Sequence, residues 1–265
     1  MLIANRMKGG RAMAMKLLKA ADYAEMSRQA ADIIIKQVKE KPNAVLGLAT
    51  GSTVLGVYRE LAADHRQHGT SYRLVRTVNL DEYVGLGPDH PNSYRHYMNE
   101  HLFSKLDIPL HETHVPNGLA ADLDEECRRY ERLIDELGGI DLQLLGIGRN
   151  GHIGFNEPGT PFSTATHVVE LTELTREANA RFFPSLDDVP RYAITMGIAT
   201  ILRSRRIVLL ASGEEKAEAM ARLLEGVVTP DLPASALHLH PDVTIIADCE
   251  ALSLIPKEKQ WVDAP

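Results

Sequence analysis

The sequence predicts an α/β protein whose mostly parallel sheet is covered by helices on both faces. Three observations carry this prediction. Short apolar runs alternate with amphipathic segments of helical period along most of the chain. The runs are short enough to be buried strands. Glycine and hydroxyl residues follow several of them, where a strand turns into a helix.

The first part of the chain predicts a helix and then a strand–turn–helix unit. Apolar residues recur with helical spacing over 23–38, and the pattern stops before Pro42. Residues 44–49, AVLGLA, predict a short buried strand. The glycine turn ATGST follows, and residues 54–65 predict the next helix.

The middle part predicts a second strand and two further helices. Residues 72–80 predict the strand, and residues 92–106 predict a helix with Asn92 or Ser93 as its N-cap. The charged amphipathic segment 123–137 predicts another helix.

The remaining elements complete the alternation. Residues 140–147, 206–211 and 243–248 predict buried strands, and 212–226 predicts a turn followed by a helix. No repeat, low-complexity tract or linker divides the chain. We therefore expect residues 15–265 to form a single α/β domain. Residues 1–14, which are basic and rich in methionine, we expect to be a disordered N-terminal extension.

The bulk composition excludes several classes of protein. The chain of 265 residues is 44% hydrophobic and 25% charged, as in ordinary globular proteins. Its net charge of −7 disfavours a nucleic-acid partner. No apolar run reaches the roughly 20 residues of a membrane-spanning helix. Two cysteines are too few for a disulfide framework. We expect a cytoplasmic protein without a membrane partner.

The segment GIGRNGHIGFNEPG, residues 146–159, begins like a dinucleotide-binding fingerprint, G-x-G-x-x-G. That fingerprint requires a helix at its third glycine, Gly151, but the residues that follow predict an irregular loop. An acidic residue about 20 positions later, here Glu170, is easily supplied by chance. We predict a ligand-binding loop at the carboxyl end of a strand, without a dinucleotide cofactor.

Two clusters of titratable residues follow predicted strands. His152, Asn150 and Glu157 share one loop, where a histidine held by a carboxylate can act as a general acid or base. A structural histidine that satisfies the loop backbone is the alternative. Asp81 and Glu82 follow another strand, and strand alternation directs only one of them into a cleft. Both could instead be solvated turn carboxylates.

Two glycine turns have the composition of an anion site. ATGST and ASGEEKA each join a buried strand to a helix, whose free N–H groups and dipole attract anions. Lys216 adds a cation, although such turns also form ordinary helix caps. Arg176 and Arg181 lie five residues apart, so at most one of them faces the site. The histidines of 238–241 lack the further ligands of a metal site, and we assign no metal.

Five segments, in this order, resemble the glucosamine-6-phosphate deaminase family: NLDEYVGL, HPNSYRHYM, GIGRNGHIGFNEPG, LTELTREANARFF and YAITMGIATIL. The resemblance covers residues 15 to about 250. It implies a Rossmann-like three-layer sandwich with a small lid, for which residues 165–190 are our lid candidate. It also implies conversion of glucosamine 6-phosphate and water to fructose 6-phosphate and ammonia, without a metal or other cofactor.

The resemblance also implies a role for each site residue. His152 is the proton shuttle that opens the sugar ring, and Asp81 is the base that removes the C2 proton. Glu157 orients the histidine. Asn150 stands where some members carry Asp, so the imidazole relies on Glu157 alone and the pH profile should differ. The phosphate-binding positions of the family match Thr50, Gly51, Ser52, Thr53, Arg181 and Lys216.

One departure from the family concerns regulation. Allosteric members bind N-acetylglucosamine 6-phosphate through serines, an Arg and a Lys just after the NEP segment. The matching positions here are Thr160, Pro161, His167 and Val169, and the cationic pair is missing. We expect no such activation, and a monomer or a small homo-oligomer.

Two other functions remain open. A 6-phosphogluconolactonase-like hydrolase would share the glycine–histidine loop but needs no base at C2, so LDEY and GHIGFNEP argue against it. A non-catalytic sugar-phosphate sensor would carry a DNA-binding segment or lack the acid–base residues. Asp81, His152 and Glu157 are all present.

Overall fold

The computed structural model describes residues 2–4 and 14–256, and an eight-stranded sheet lies at its centre. The strands of the described residues are β1 (Leu2–Ala4), β2 (Ala14–Ala20), β3 (Val45–Leu48), β4 (Arg76–Asn79), β5 (Asp81–Tyr83), β6 (Thr113–His114), β7 (Leu142–Gly146), β8 (His167–Glu170), β9 (Tyr192–Thr195), β10 (Ile207–Ala211) and β11 (Asp242–Asp248). The large sheet has the order β1-β2-β11-β10-β7-β3-β4-β6, and β5, β9 and β8 form a second sheet.

Helices connect most of the strands. The α-helices of the described residues are α1 (Tyr23–Glu40), α2 (Ser52–His68), α3 (Tyr94–His101), α4 (Leu123–Glu136), α5 (Glu173–Asn179), α6 (Ile198–Leu202) and α7 (Ala217–Leu224). Short 3₁₀ turns include Ala180–Phe182 and Glu214–Lys216. Across the described ranges, none of these helices combines the length and apolarity needed to cross a bilayer.

The predicted fold class is confirmed. From β2 to β6 every strand of the large sheet pairs in parallel, and only β1 is antiparallel to its neighbour. Strands β3 and β10 are buried along their whole length, because helices cover both faces. The strand order reverses between β3 and β7: β4 and β6 lie on one side of this point, and β10, β11 and β2 on the other. In open α/β sheets, ligands bind at the carboxyl ends of the strands at such a reversal.

Several element boundaries differ from the prediction. The predicted strand 72–80 is shortened to β4, because the N–H of Val75 bonds back to the carbonyl of Tyr72 in a turn. The predicted helix 92–106 ends as α3 at His101 and continues as a 3₁₀ turn. Its N-cap is Ser93, whose Oγ accepts the N–H of His96, so one of the two predicted caps is confirmed.

The antiparallel sheet β5-β9-β8 was not predicted. It joins Asp81–Tyr83 to a strand that begins at Tyr192, more than a hundred residues later. No local pattern specifies such a pairing. Strand β8 and helix α5 both lie within the lid candidate (residues 165–190).

The amino-terminal prediction is only partly covered by the structure. Residues Leu2–Ala4 form an edge strand that pairs with β2, an element that was not predicted. Residues 1 and 5–13 lie outside the described residues, so disorder there stays a prediction.

Candidate active site

A cavity of about 540 Å³ lies at the reversal of strand order. Its walls are the loops after β3, β4, β7 and β10, together with α3 and part of the lid candidate. Nine of the ten predicted site residues line it: Thr50, Gly51, Ser52, Thr53, Asp81, Asn150, His152, Arg181 and Lys216. The tenth, Glu157, lies behind Asn150 and His152 and bonds to the first of them.

Strand alternation separates the two adjacent carboxyls as predicted. Asp81 is buried and lines the cavity. Glu82 points away from it and accepts the backbone N–H groups of Tyr83, Tyr94 and Arg95. Glu82 therefore ties β5 to the first turn of α3, while Asp81 is left to face the cavity.

Burial changes the acidity of both carboxyls. It raises the pKa of Asp81 to about 8, and the neighbouring Glu82 raises it as well. Burial also raises the pKa of Glu82, although three N–H donors favour its charged form. Within the described residues no hydrogen-bond donor holds the Asp81 carboxylate. A raised pKa and an unpaired carboxylate suit a group that exchanges a proton with a ligand.

The second carboxylate, Glu157, is held by several donors. The Asn150 amide donates to Glu157 Oε2 at 2.7 Å, and Asn150 Oδ1 accepts the backbone N–H of His152 at 3.2 Å. His152 Nδ1 lies 3.8 Å from the same Oε2. Asn150 thus bridges the histidine and the carboxylate, a role that the sequence alone did not indicate.

Glu157 is ionised over the whole neutral range. Burial by itself would raise the pKa of its carboxyl. The adjacent imidazole and the hydroxyl and amide donors favour the charged form more strongly, and they hold the pKa at about 2. The imidazole of His152 is therefore accompanied by a permanent negative charge.

The glycines of the loop serve packing and turn geometry. A Cβ at Gly148 would lie 2.3 Å from the His152 imidazole, so only glycine leaves room for the ring. Gly151 has φ +84°, which favours glycine. The residues after Gly151 form an irregular loop with an isolated bridge between Ile153 and Asn156. The prediction that no helix starts there is confirmed.

The phosphate-site candidates line the same cavity. Helix α2 begins at Ser52 with Gly51 as its N-cap, at φ +107°. Hydroxyls fix this turn from outside: Tyr97 donates to the Gly51 carbonyl at 2.8 Å, and Tyr23 to the Ser52 carbonyl at 2.7 Å. Free N–H groups at the start of a helix attract anions.

Lys216 supplies a cation to this region. Its side chain is largely buried and its Nζ lies 3.3 Å from Glu215 Oε1. Burial lowers the pKa of Lys216, and Glu215 opposes that shift. Glu215 in turn is paired with Arg149 of the histidine loop. Neither Arg149 nor Glu215 was predicted, because they lie 66 residues apart in the chain.

Of the two arginines in the lid candidate, one faces the cavity. Arg181 lines it, whereas Arg176 donates to the carbonyls of Leu186 and Val189. The prediction that at most one of them faces the site is confirmed. The histidines of 238–241 are structural, since His238 and His240 each bond a backbone carbonyl.

Sequence reasoning missed the aromatic wall of the cavity. Tyr94 and Phe155 stack with their rings inclined by 12°, and Tyr83 lies 4.8 Å from Tyr94 between ring centroids. Phe183 contacts Tyr83 from the lid candidate. These four residues come from four segments of the chain, so no spacing in the sequence brings them together.

The fold is that of an α/β protein whose cavity is lined by titratable side chains, by the start of a helix and by a lysine. The sequence pattern of glucosamine-6-phosphate isomerases/6-phosphogluconolactonase matches residues 19–246. The chain belongs to this family.

Curated relatives support the family at high identity. The glucosamine-6-phosphate deaminase of Geobacillus sp. (strain WCH70) is 72% identical over 250 residues, which cover 94% of this chain and all of that protein. Glucosamine-6-phosphate deaminase 1 of Bacillus subtilis (strain 168) is 58% identical, over 91% of this chain and all of that protein.

Two solved structures have a similar fold. A monomeric glucosamine-6-phosphate deaminase superposes with a TM-score of 0.90 at 58% identity, over 91% of this chain and all of the other. The 6-phosphogluconolactonase of Trypanosoma brucei superposes with a TM-score of 0.75 at 20% identity, over 92% of this chain and all of the other. The second likeness shows the fold alone.

Proposed function

We propose that this protein is a glucosamine-6-phosphate deaminase, which converts glucosamine 6-phosphate and water to fructose 6-phosphate and ammonia. One observation carries the proposal: Asp81 and His152 face the same cavity as the start of α2 and Lys216. A sugar phosphate needs this combination of acid–base and anion groups. The 72% identity to a named deaminase supports the same reaction.

His152 serves the first step, the opening of the sugar ring. The imidazole takes the proton of the anomeric hydroxyl and delivers a proton to the ring oxygen, so that the C1–O5 bond breaks and an aldehyde forms. The charge of Glu157 stabilises the imidazolium that exists between the two transfers.

Asp81 serves the second step, the transfer of a proton from C2 to C1. Removal of the C2 proton gives an enolate, which takes up a proton from solvent on the C1 oxygen and becomes the enolamine. Return of the Asp81 proton to C1 gives the protonated C2 imine. Water then adds to the imine, and ammonia leaves as the C2 ketone of fructose 6-phosphate forms. A carboxylate whose pKa is raised to about 8 is a stronger base than an ordinary one, which suits removal of a weakly acidic C–H proton.

The phosphate of the substrate is held by groups from three segments that line the cavity. The N–H groups at the start of α2, in the turn Thr50–Thr53, provide directed donors. Lys216 and Arg181 add positive charge from two further segments. Arg149 neutralises Glu215, which would otherwise weaken the attraction between Lys216 and the phosphate.

A 6-phosphogluconolactonase activity is the second candidate, because solved lactonases share the fold. Hydrolysis of a lactone does not require a base at C2, and so leaves the buried Asp81 without a role. The deaminase reaction gives Asp81, His152 and Glu157 each a role.

We also propose that the protein acts as a cytoplasmic monomer without a nucleic-acid partner. The 58% identical deaminase of known structure is monomeric, and the net charge of −7 opposes nucleic-acid binding. The positions that match the allosteric site of other members carry no cationic pair.

Ammonia release from glucosamine 6-phosphate by the purified protein tests the function, with fructose 6-phosphate measured in parallel. Equimolar products are expected without added metal or nucleotide. Hydrolysis of 6-phosphogluconolactone without ammonia release would instead establish the lactonase activity.

A further inference from the structure

Helix α5 of the lid candidate contacts Glu157, the carboxylate beside His152. Thr175, in the first turn of α5, donates its hydroxyl hydrogen to Glu157 Oε1. Thr175 is 6% exposed and Glu157 is 8% exposed, so water competes little for this bond. The other carboxylate oxygen, Oε2, faces Asn150 and His152.

The hydroxyl of Thr175 is itself positioned by the helix. Thr172 is the N-cap of α5 and accepts the backbone N–H of Thr175 at 3.2 Å. Its hydroxyl lies 3.1 Å from Thr175 Oγ1 and donates to it. The Thr175 hydroxyl therefore accepts a hydrogen bond from Thr172 and donates one to Glu157. This chain of bonds exists only when α5 lies against the histidine loop.

The remaining contacts do not fix both oxygens of Glu157. Its backbone carbonyl accepts the N–H and the hydroxyl of Thr160, which hold the main chain but not the carboxylate. His152 is the titratable neighbour that faces the carboxylate, at 3.8 Å, and Asn150 is an uncharged donor to the same oxygen. Rotation of the carboxylate about its last bond is opposed from the Oε1 side by Thr175.

We propose that Thr175 is a positioning residue, through which helix α5 sets the orientation of the Glu157 carboxylate beside His152. The segment that carries Arg181 of the phosphate site follows α5 directly. Substrate phosphate that draws Arg181 inward also holds α5 in place. Binding of the phosphate and alignment of the acid–base group are thereby linked. This inference rests on the proposed function for its kinetic readout.

The test compares Thr175→Val with Thr175→Ser. Valine keeps the branched shape but removes the hydroxyl, whereas serine keeps the hydroxyl and loses the methyl group. In Thr175→Val we expect kcat to fall about 10-fold, because a hydrogen bond to a charged group is lost. The low-pH break in kcat against pH at which Glu157 takes up its proton should move up by about one pH unit, because the charged form of Glu157 loses a donor. Thr175→Ser should keep most of the kcat and most of the pH profile of the unaltered protein.

Two further measurements separate this role from a general packing effect. Ser185→Ala is the matched control, since Ser185 is a hydroxyl residue of the lid candidate that bonds Asp188 on the surface and does not line the cavity. It should keep the pH profile of the unaltered protein. Carbon-13 NMR of the glutamate carboxyls, without substrate, should show one titration midpoint moved upward in Thr175→Val alone.

The outcomes are distinct. An unchanged pH profile and an unchanged carboxyl titration in Thr175→Val overturn the inference, as does an equal loss in the Val and Ser variants. If the unaltered protein releases no ammonia, the proposed function fails, and the NMR titration still decides whether Thr175 controls Glu157.

Discussion

At the scale of single residues, Asp81 and Glu82 are neighbours in the chain and point to opposite sides of β5. Glu82 accepts three backbone N–H groups, whereas the Asp81 carboxylate has no donor among the described residues. The same residue chemistry thus yields one structural carboxyl and one free for proton transfer. The difference comes from the side of β5 to which each side chain points and from the position of α3, not from the side chains themselves.

Asp81→Asn should lower kcat by about 10²–10⁴, because the amide cannot remove the C2 proton. Initial rates of ammonia release measure this. Glu82→Gln is the comparison, since its side chain faces away from the cavity, and its loss should appear mainly in the melting temperature. Near-normal turnover in Asp81→Asn would remove Asp81 from the proposed role.

The same variant should change how stability depends on pH. The folded protein keeps the Asp81 proton up to about pH 8, whereas the unfolded chain releases it near the ordinary value of 3.8. The folded state therefore loses stability as pH rises from about 4 to 8. Asn does not ionise, so Asp81→Asn should melt at a higher temperature than the unaltered protein at pH 9. The difference should shrink towards pH 4.

Asn150→Asp should move the acid limb of the pH profile upward by about one unit. The change replaces the donor to Glu157 Oε2 by a second carboxylate, and like charges at this distance raise the pKa of one of the two. The profile of kcat from pH 4 to 9 measures the shift. Asn43→Asp, which adds the same charge at an exposed position, is the control. Superimposable profiles for Asn150→Asp and the unaltered protein would contradict the assigned bridge.

At the scale of elements, the loop after β7 places its histidine through a close contact rather than through a helix. Gly148→Ala should lower kcat by about 10² because the added Cβ would force the His152 imidazole out of place. Gly146→Ala is the matched change two residues earlier. Its added Cβ meets nothing within 4 Å, and its effect should be much smaller. Equal losses in the two variants would show that the contact with His152 is not the reason.

At the scale of the whole molecule, the proposed monomer can be tested directly. Light scattering after size-exclusion chromatography should give the mass of one chain across the concentrations used in the assay. Added N-acetylglucosamine 6-phosphate should leave the substrate dependence hyperbolic and unactivated. An oligomeric mass together with strong activation would show that the missing cationic pair at residues such as His167 and Val169 is not needed for regulation.

Much of the fold followed from local patterns. Buried strands such as β3 and β10, and the long helices between strands, have periodic sequences that specify each element where it stands. The second sheet and the edge strand β1 escaped prediction because their pairing partners are distant or their residues carry no periodic pattern. Strand β4 was predicted too long because the turn at Tyr72 interrupts an apolar run without a glycine or proline.

The candidate site was also predicted only in part. His152, Glu157 and Asp81 could be selected because titratable residues in loops that follow strands are expected at a ligand site. The aromatic wall, the pair formed by Arg149 and Glu215, and the bond from Thr175 to Glu157 could not be. Each joins segments that come together only after the helices pack.

The sequence by itself determined the α/β alternation, the carboxyl edge at which the site lies, and which residue types gather there, since all three depend on neighbours along the chain. Only the tertiary structure decided which carboxyl faces the cavity, which groups pair, and how acidic each one is. Acidity depends on burial and on donors from other segments. The pKa of Asp81 is raised to about 8 and that of Glu157 is lowered to about 2, so the surroundings shift the pKa of a carboxyl group in either direction.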